Sequence, residues 1–149
     1  MNIKKVVKDL MIEKFVKVGE EDQIYEVVEK IAQDKETMLA CVVDKDNVLK
    51  GIITPREILE AVEVREFGTI RYPFLTGRDA LHILTSKCAK DIMNPPVSVK
   101  ADDEVEKAIN IMLDKGFYEV PVVDKEGKTW GAINYFSIII SSVDYLKKQ

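Results

Sequence analysis

Four residues, Thr54-Pro55-Arg56-Glu57, put a hydroxyl, a guanidinium and a carboxylate within one turn of chain. Two kinds of chemistry fit them. As a helix start, Thr54 is the N-cap, Pro55 the first helical residue and Glu57 the side chain that returns to the cap. That accounts for every residue type except Arg56. As a binding turn, the carboxylate accepts hydroxyl donors, while the guanidinium and the free N–H groups of the helix start hold an anion. The readings are compatible, because a cap carboxylate can also face a ligand. Further along, Asn134-Tyr135-Phe136-Ser137 keeps a good cap residue in Asn134 but has neither carboxylate nor arginine.

Little else in the chain has the spacing of a reactive site. The two cysteines, Cys41 and Cys88, are far apart and form no CxxC, so neither a disulfide framework nor a zinc site is expected. His82 is the single histidine, and a lone histidine makes no metal site without carboxylate or thiolate help. There is no nucleophile–base pair and no P-loop. The expectation is a protein that is not an enzyme and requires no cofactor. Its 149 residues carry a net charge of −4, with 46% hydrophobic and 32% charged residues. That composition suits a soluble domain and argues against non-specific nucleic-acid binding, which needs a basic footprint. No apolar run approaches the roughly 20 residues that span a bilayer, and the N-terminus has no signal-peptide core. A cytoplasmic location is expected.

The elements that must position Thr54–Glu57 are written twice. Val42–Ile58 reads VVDKDNVLKGIITPREI and Val122–Ile138 reads VVDKEGKTWGAINYFSI, with seven of 17 positions identical. KDLM at 8–11 answers KDIM at 90–93. Ile24, Val27, Val28 and Ile31 answer Val105, Ala108, Ile109 and Met112, each set spaced as the apolar stripe of an amphipathic helix. Asp103 with Glu106 reads as the cap of the second of these helices, and Gly116 as its stop. Short β-branched runs at 38–43, 48–53, 120–123 and 129–133, joined by KDN and KEG, predict two hairpins. A short strand precedes each helix, at Phe15–Val18 and Val97–Val99. A second helix follows each hairpin, from about Pro55 and about Tyr135. Each repeat is thus β-α-β-β-α and about 50 residues long, marginal on its own. The fold class expected is α+β, two such repeats packed through their sheets as a pseudo-twofold pair.

The order, spacing and duplication of these elements resemble the CBS domain, and the pair resembles a tandem CBS (Bateman) module. The resemblance rests on residues 90–133 and on the matching stretch from Lys8 to Ile58. It implies a regulatory module rather than a catalyst. It also implies an adenosine-containing ligand (AMP, ADP, ATP or S-adenosylmethionine) held in a cleft between the repeats. In the family a G-h-h-T-x-x-D pattern follows the last strand, and its Thr and Asp often hold ribose hydroxyls. Here Gly51–Glu57 keeps Thr54 and replaces Asp by Glu57. Gly131–Ser137 puts Asn134 for Thr and Ser137 for Asp, which leaves only one weaker bond to a ribose.

A nucleotide needs an acceptor for its diol, apolar walls for its base and a positive site for its phosphate. For the first repeat the expected set is Glu57 and Thr54, walls at Phe15, Val16 and the strand around Cys41, and Arg56 with Lys17 for phosphate. For the second repeat it is Asn134 and Ser137 with walls at Val97, Ser98, Val120 and Pro121. The two halves should therefore not sense a nucleotide equally. A division into repeat 1 at 1–62, an apolar connector at 63–88 and repeat 2 at 89–149 is expected. The connector reads as aromatic residues (Phe67, Tyr72, Phe74) followed by a helix capped by Thr76 with Asp79, carrying His82. Three consecutive isoleucines, Ile138, Ile139 and Ile140, cover more of a helix than one tertiary face buries, so a homodimer is expected. With no effector domain in the chain, the regulated protein would be a separate partner. The alternative is a ligand-free dimerisation or interaction module.

Overall fold

Two three-stranded sheets built on the same plan form the centre of the computed structural model, which describes residues 5–34, 38–67 and 85–149. The first sheet contains β1 (Val16–Gly19), β2 (Ala40–Val43) and β3 (Leu49–Ile53). β1 pairs parallel with β2, crossing over through helix α1 (Ile24–Gln33), and β2 pairs antiparallel with β3. Helix α2 (Pro55–Phe67) leaves directly from β3. After a short helix α3 (Ala89–Ile92), the second half repeats the plan. It has β4 (Val99–Lys100), α4 (Val105–Lys115), β5 (Glu119–Val123), β6 (Thr129–Asn134) and α5 (Tyr135–Lys147), with the same pairings. The expected α+β pair of β-α-β-β-α repeats is the fold observed. Of the connector expected at 63–88, residues 63–67 belong to α2, and residues 68–84, with the expected capped helix and His82, lie outside the described residues.

Each sheet buries both faces, which is why its strands are almost continuously apolar. On one face of the first sheet, Val16, Val18, Ala40, Val42 and Ile53 pack with Val27 of α1 and Ala89 of α3. On the other, Leu39, Cys41, Leu49 and Ile52 meet Val97, Phe117 and Val123 from the second half. The second sheet packs Val99, Val120, Val122 and Ile133 against Ala108 and Met112 of α4. The two halves also meet at their hairpin tips. Asn47 Nδ2 donates to the Thr129 carbonyl at 3.0 Å, and Thr129 Oγ1 donates to Asn47 Oδ1 at 2.8 Å. Asn47 has φ 67 and Gly127 φ 81, the left-handed conformation that Asn and Gly adopt most readily.

The segments that lead into each repeat cross to the other one. Val7 N–H donates to the Asp103 carbonyl at 2.8 Å, and Ile12 forms a two-bond bridge with Ala132. In return, Ala89 N–H donates to the Asp22 carbonyl at 2.8 Å, and Asn94 bridges Ile52. Gly51 and Gly131 lie where these segments pass. A Cβ at Gly51 would collide with the Asn94 carbonyl and Met93, and one at Gly131 with the Ile12 carbonyl and Met11. Close backbone approach explains the glycine common to both copies of the repeated phrase.

Two local expectations need correction. Asp103 is not the cap of α4; the helix starts at Val105 after Glu104. The Asp103 carboxylate instead closes the preceding turn, accepting from Lys100 N–H at 2.8 Å and from Lys107 Nζ at 3.1 Å. The second leading strand begins at Val99 rather than Val97, because its parallel partners start at Val122. Gly116 does end α4, at φ 70.

Candidate functional site

Thr54 lies where β3 ends and α2 begins, so its backbone N–H has no partner within the helix. Glu57 supplies one. Its Oε2 accepts the Thr54 N–H at 2.7 Å and also the Thr54 hydroxyl. Its Oε1 accepts Asn94 Nδ2 at 2.5 Å. The returning half of the expected cap is therefore present. Arg56 points outward and meets Glu60 one turn along, at 3.2 Å.

A cavity of about 440 Å³ opens beside this turn. Thr54, Arg56 and Glu57 form one side. Asn94, Pro95 and Val97, from the segment leading into β4, form another. Lys115, Gly116 and Phe117, at the end of α4, close it. The cavity thus joins an acceptor carboxylate, two cations and three apolar side chains. Helix α2 presents its N-terminus here, the end that favours an anion. The end of α4 presents the opposite dipole, and Lys115 offsets it.

The structure regroups the residues expected from sequence. Thr54, Arg56 and Glu57 share the cavity with Val97, which was expected to wall the second turn. Val16 and Lys17, expected beside Glu57, line a separate shallow cavity of about 290 Å³ with Lys14, Phe15, Lys30 and Asp34. The crossing of the leading segments, seen in the Asn94–Ile52 bridge, brings Val97 to the first turn. Cys41 is fully buried in the inter-sheet core, and burial, aided by the nearby Glu119 carboxylate, pushes its thiol far above the ordinary value. Pro121 is buried in β5 opposite Ala132. Asn134 caps α5 by accepting Ser137 N–H at 2.9 Å, and Ser137 Oγ donates back to the Asn134 carbonyl at 2.9 Å. Reading the sequence missed Asn94, Lys115 and Phe117 as cavity residues. The echo of KDLM in KDIM located the segment before Asn94 but not the sheet it joins.

A second feature has no counterpart in the sequence reading. Glu119, the first residue of β5, is fully buried between the halves. Its Oε2 accepts Met38 N–H at 3.1 Å, and its Oε1 has no hydrogen-bond partner among the described residues. Burial raises its pKa to about 7, against the opposing pull of the Met38 and Leu39 N–H groups. Among the described residues no cluster of His, Cys, Asp or Glu is arranged to hold a metal ion, and no helix is long and apolar enough to cross a membrane.

The duplicated sheet plan and the Thr-x-x-Glu turn beside an inter-repeat cavity define a tandem repeat of the CBS type. A family model for the CBS domain matches residues 7–64 and again 89–143, and the chain belongs to that family. Among solved structures it is similar to a CBS-domain-containing protein from Thermotoga maritima, at 31% identity and a TM-score of 0.78, over 94% of this chain and 95% of that one. It also shares its fold with CBSX2, solved in complex with AMP, at 21% identity and a TM-score of 0.76, over 94% and 97% of the two chains. A 17.7 kDa protein of Acidianus ambivalens is 30% identical over 93 residues, 62% of this chain and 46% of that relative, so the match spans less than half of it.

Proposed function

We propose that the chain is a non-catalytic regulatory module that binds an adenosine-containing ligand (AMP, ADP, ATP or S-adenosylmethionine) beside the Thr54–Glu57 turn. It passes occupancy on to a separate partner protein. The observation that carries this reading is the cavity itself. Glu57 offers the acceptor for a ribose diol, Pro95, Val97 and Phe117 offer apolar walls, and Arg56 and Lys115 with the start of α2 offer the positive end. CBSX2, which shares the fold, was solved with AMP. The second turn keeps its cap in Asn134 and Ser137 but lacks the carboxylate, so the first cleft is the stronger site. A ligand acts by its different affinity for two arrangements of the repeats. The cavity draws on both halves, so occupancy bears on how they pack.

A thermal-shift series with AMP, ATP and S-adenosylmethionine tests this. A ligand at 100 times its dissociation constant adds about 2.7 kcal/mol, roughly 5 to 10 °C for a chain of this size. Glu57→Gln should lose most of that shift. No shift with any of the three ligands would favour the second reading, a ligand-free interaction module. One observation supports that alternative: both Glu57 oxygens are satisfied within the protein.

The same reading includes a homodimer. Leu59 and Val62 on α2, and Phe136, Ile139 and Ile140 on α5, are exposed, while Ile138 packs on the core. A second copy covering these helices would remove that apolar surface from water. Light scattering at micromolar concentration should give twice the chain mass, and Ile140→Glu should return it to one. A wild-type monomer would count against the dimer.

A further inference from the structure

Asn94 reaches Glu57 across the boundary between the halves, and its backbone is held independently of that contact. It exchanges two backbone hydrogen bonds with Ile52, at 3.1 and 2.8 Å. The other half builds the same bridge with Ile12, which exchanges bonds of 2.7 and 2.9 Å with Ala132. Isoleucine has no polar side chain, so the bridge does not require an amide at this place. The sheet whose bridge carries the amide is also the sheet whose turn carries the carboxylate. Where the bridge carries isoleucine, the turn carries Ser137. The Asn94 amide is therefore matched to Glu57 rather than to the fold.

We propose that Asn94 is an internal competitor of the ligand: its amide holds the Glu57 oxygen that a ribose diol would take, and so sets both the affinity and the diol specificity of the cleft. This rests on the reading that adenosine ligands bind through Glu57. Oε2 is committed to Thr54 as the helix cap, so Oε1 is the oxygen that can be exchanged. Oε2 already accepts both Thr54 donors and Oε1 keeps one lone pair beside the Asn94 bond, so both hydroxyls of a diol bond there only when the Asn94 N–H leaves. The exchange trades one charge-assisted bond for another, and affinity falls by what the internal bond was worth. A ligand without the diol makes no such exchange and is indifferent to Asn94.

Calorimetric titration of AMP into the full chain, into Asn94→Ala, into Glu57→Gln and into the double variant tests the proposal. Asn94→Ala should bind AMP on the order of tenfold tighter. It should bind a 2′,3′-dideoxy analogue as the wild type does. In the Glu57→Gln background the same substitution should give little or no gain. An unliganded melt close to that of the wild type would confirm that the Ile52 bridge survives, as the isoleucine of the other half leads one to expect. Suppose Glu57→Gln weakens AMP while Asn94→Ala leaves it unchanged or weaker. The competitor role is then overturned, and the site reading stands. If Glu57→Gln leaves AMP affinity unaltered, or if neither the wild type nor Asn94→Ala binds AMP, the site reading falls and the competitor role falls with it.

Discussion

Glu119 is an acid buried where little compensates its charge. The Met38 and Leu39 N–H groups favour the carboxylate, but desolvation outweighs them and Asp34 adds repulsion from the end of α1. Its pKa rises from 4.5 to about 7. The native state therefore holds a proton that the unfolded chain has released across that interval. Stability contributed by this group is complete below the unfolded value and is lost as pH rises through the folded one. The loss amounts to about 3 kcal/mol between acid and mildly alkaline pH. Glu119→Gln keeps the shape and removes the titration. Urea midpoints at pH 5 should differ little between the two proteins, whereas at pH 8 the variant should be more stable by roughly 2 to 3 kcal/mol. Parallel pH profiles for the two proteins would sink the idea. The neighbouring thiol of Cys41 stays protonated throughout, its burial having raised it far above this range.

At the scale of elements, much of the molecule was legible. The i, i+3, i+4, i+7 stripes gave α1 and α4, and the β-branched runs gave the two hairpins, because local periodicity and burial agree there. The Thr-Pro-x-Glu turn was legible as a cap because both of its partners lie within four residues. Neighbours supplied by distant segments were not. Nothing in KDIM or KDLM says which sheet it will join, since a bridge within one repeat and a bridge to the other would leave the same local pattern. Misplacing that segment moved Val97 to the wrong turn and hid Asn94 altogether. Lys115 and Phe117 were hidden for a related reason: the stop at Gly116 marks where α4 ends, not what it ends against. The signal that could have revealed the crossing is the pair Gly51 and Gly131. A glycine kept in both copies of a buried strand asks what passes over it, and the answer is the leading segment of the other half.

The whole molecule follows from that exchange. Val7 opens the first repeat, yet it is fully buried with Val99, Ala108 and Ile133 of the second half. Ala89 opens the second repeat and is fully buried with Val18, Val27 and Ile53 of the first. A third cluster lies between the sheets, and the Asn47–Thr129 contacts tie the hairpin tips. Neither half completes its core from its own residues, so neither should unfold alone. Trp130, the single tryptophan, lies on β6 and reports on the second half. Its fluorescence and the far-UV circular dichroism should follow one urea transition with the same midpoint. Val7→Ala removes buried methyl groups and should cost about 1 to 3 kcal/mol. Trp130 should register the full loss, although the substitution lies more than a hundred residues away in sequence. Two separated transitions, or a Trp130 midpoint that ignores Val7→Ala, would mean that the halves fold independently. The cleft beside Glu57 would then no longer be tied to the packing of the two repeats.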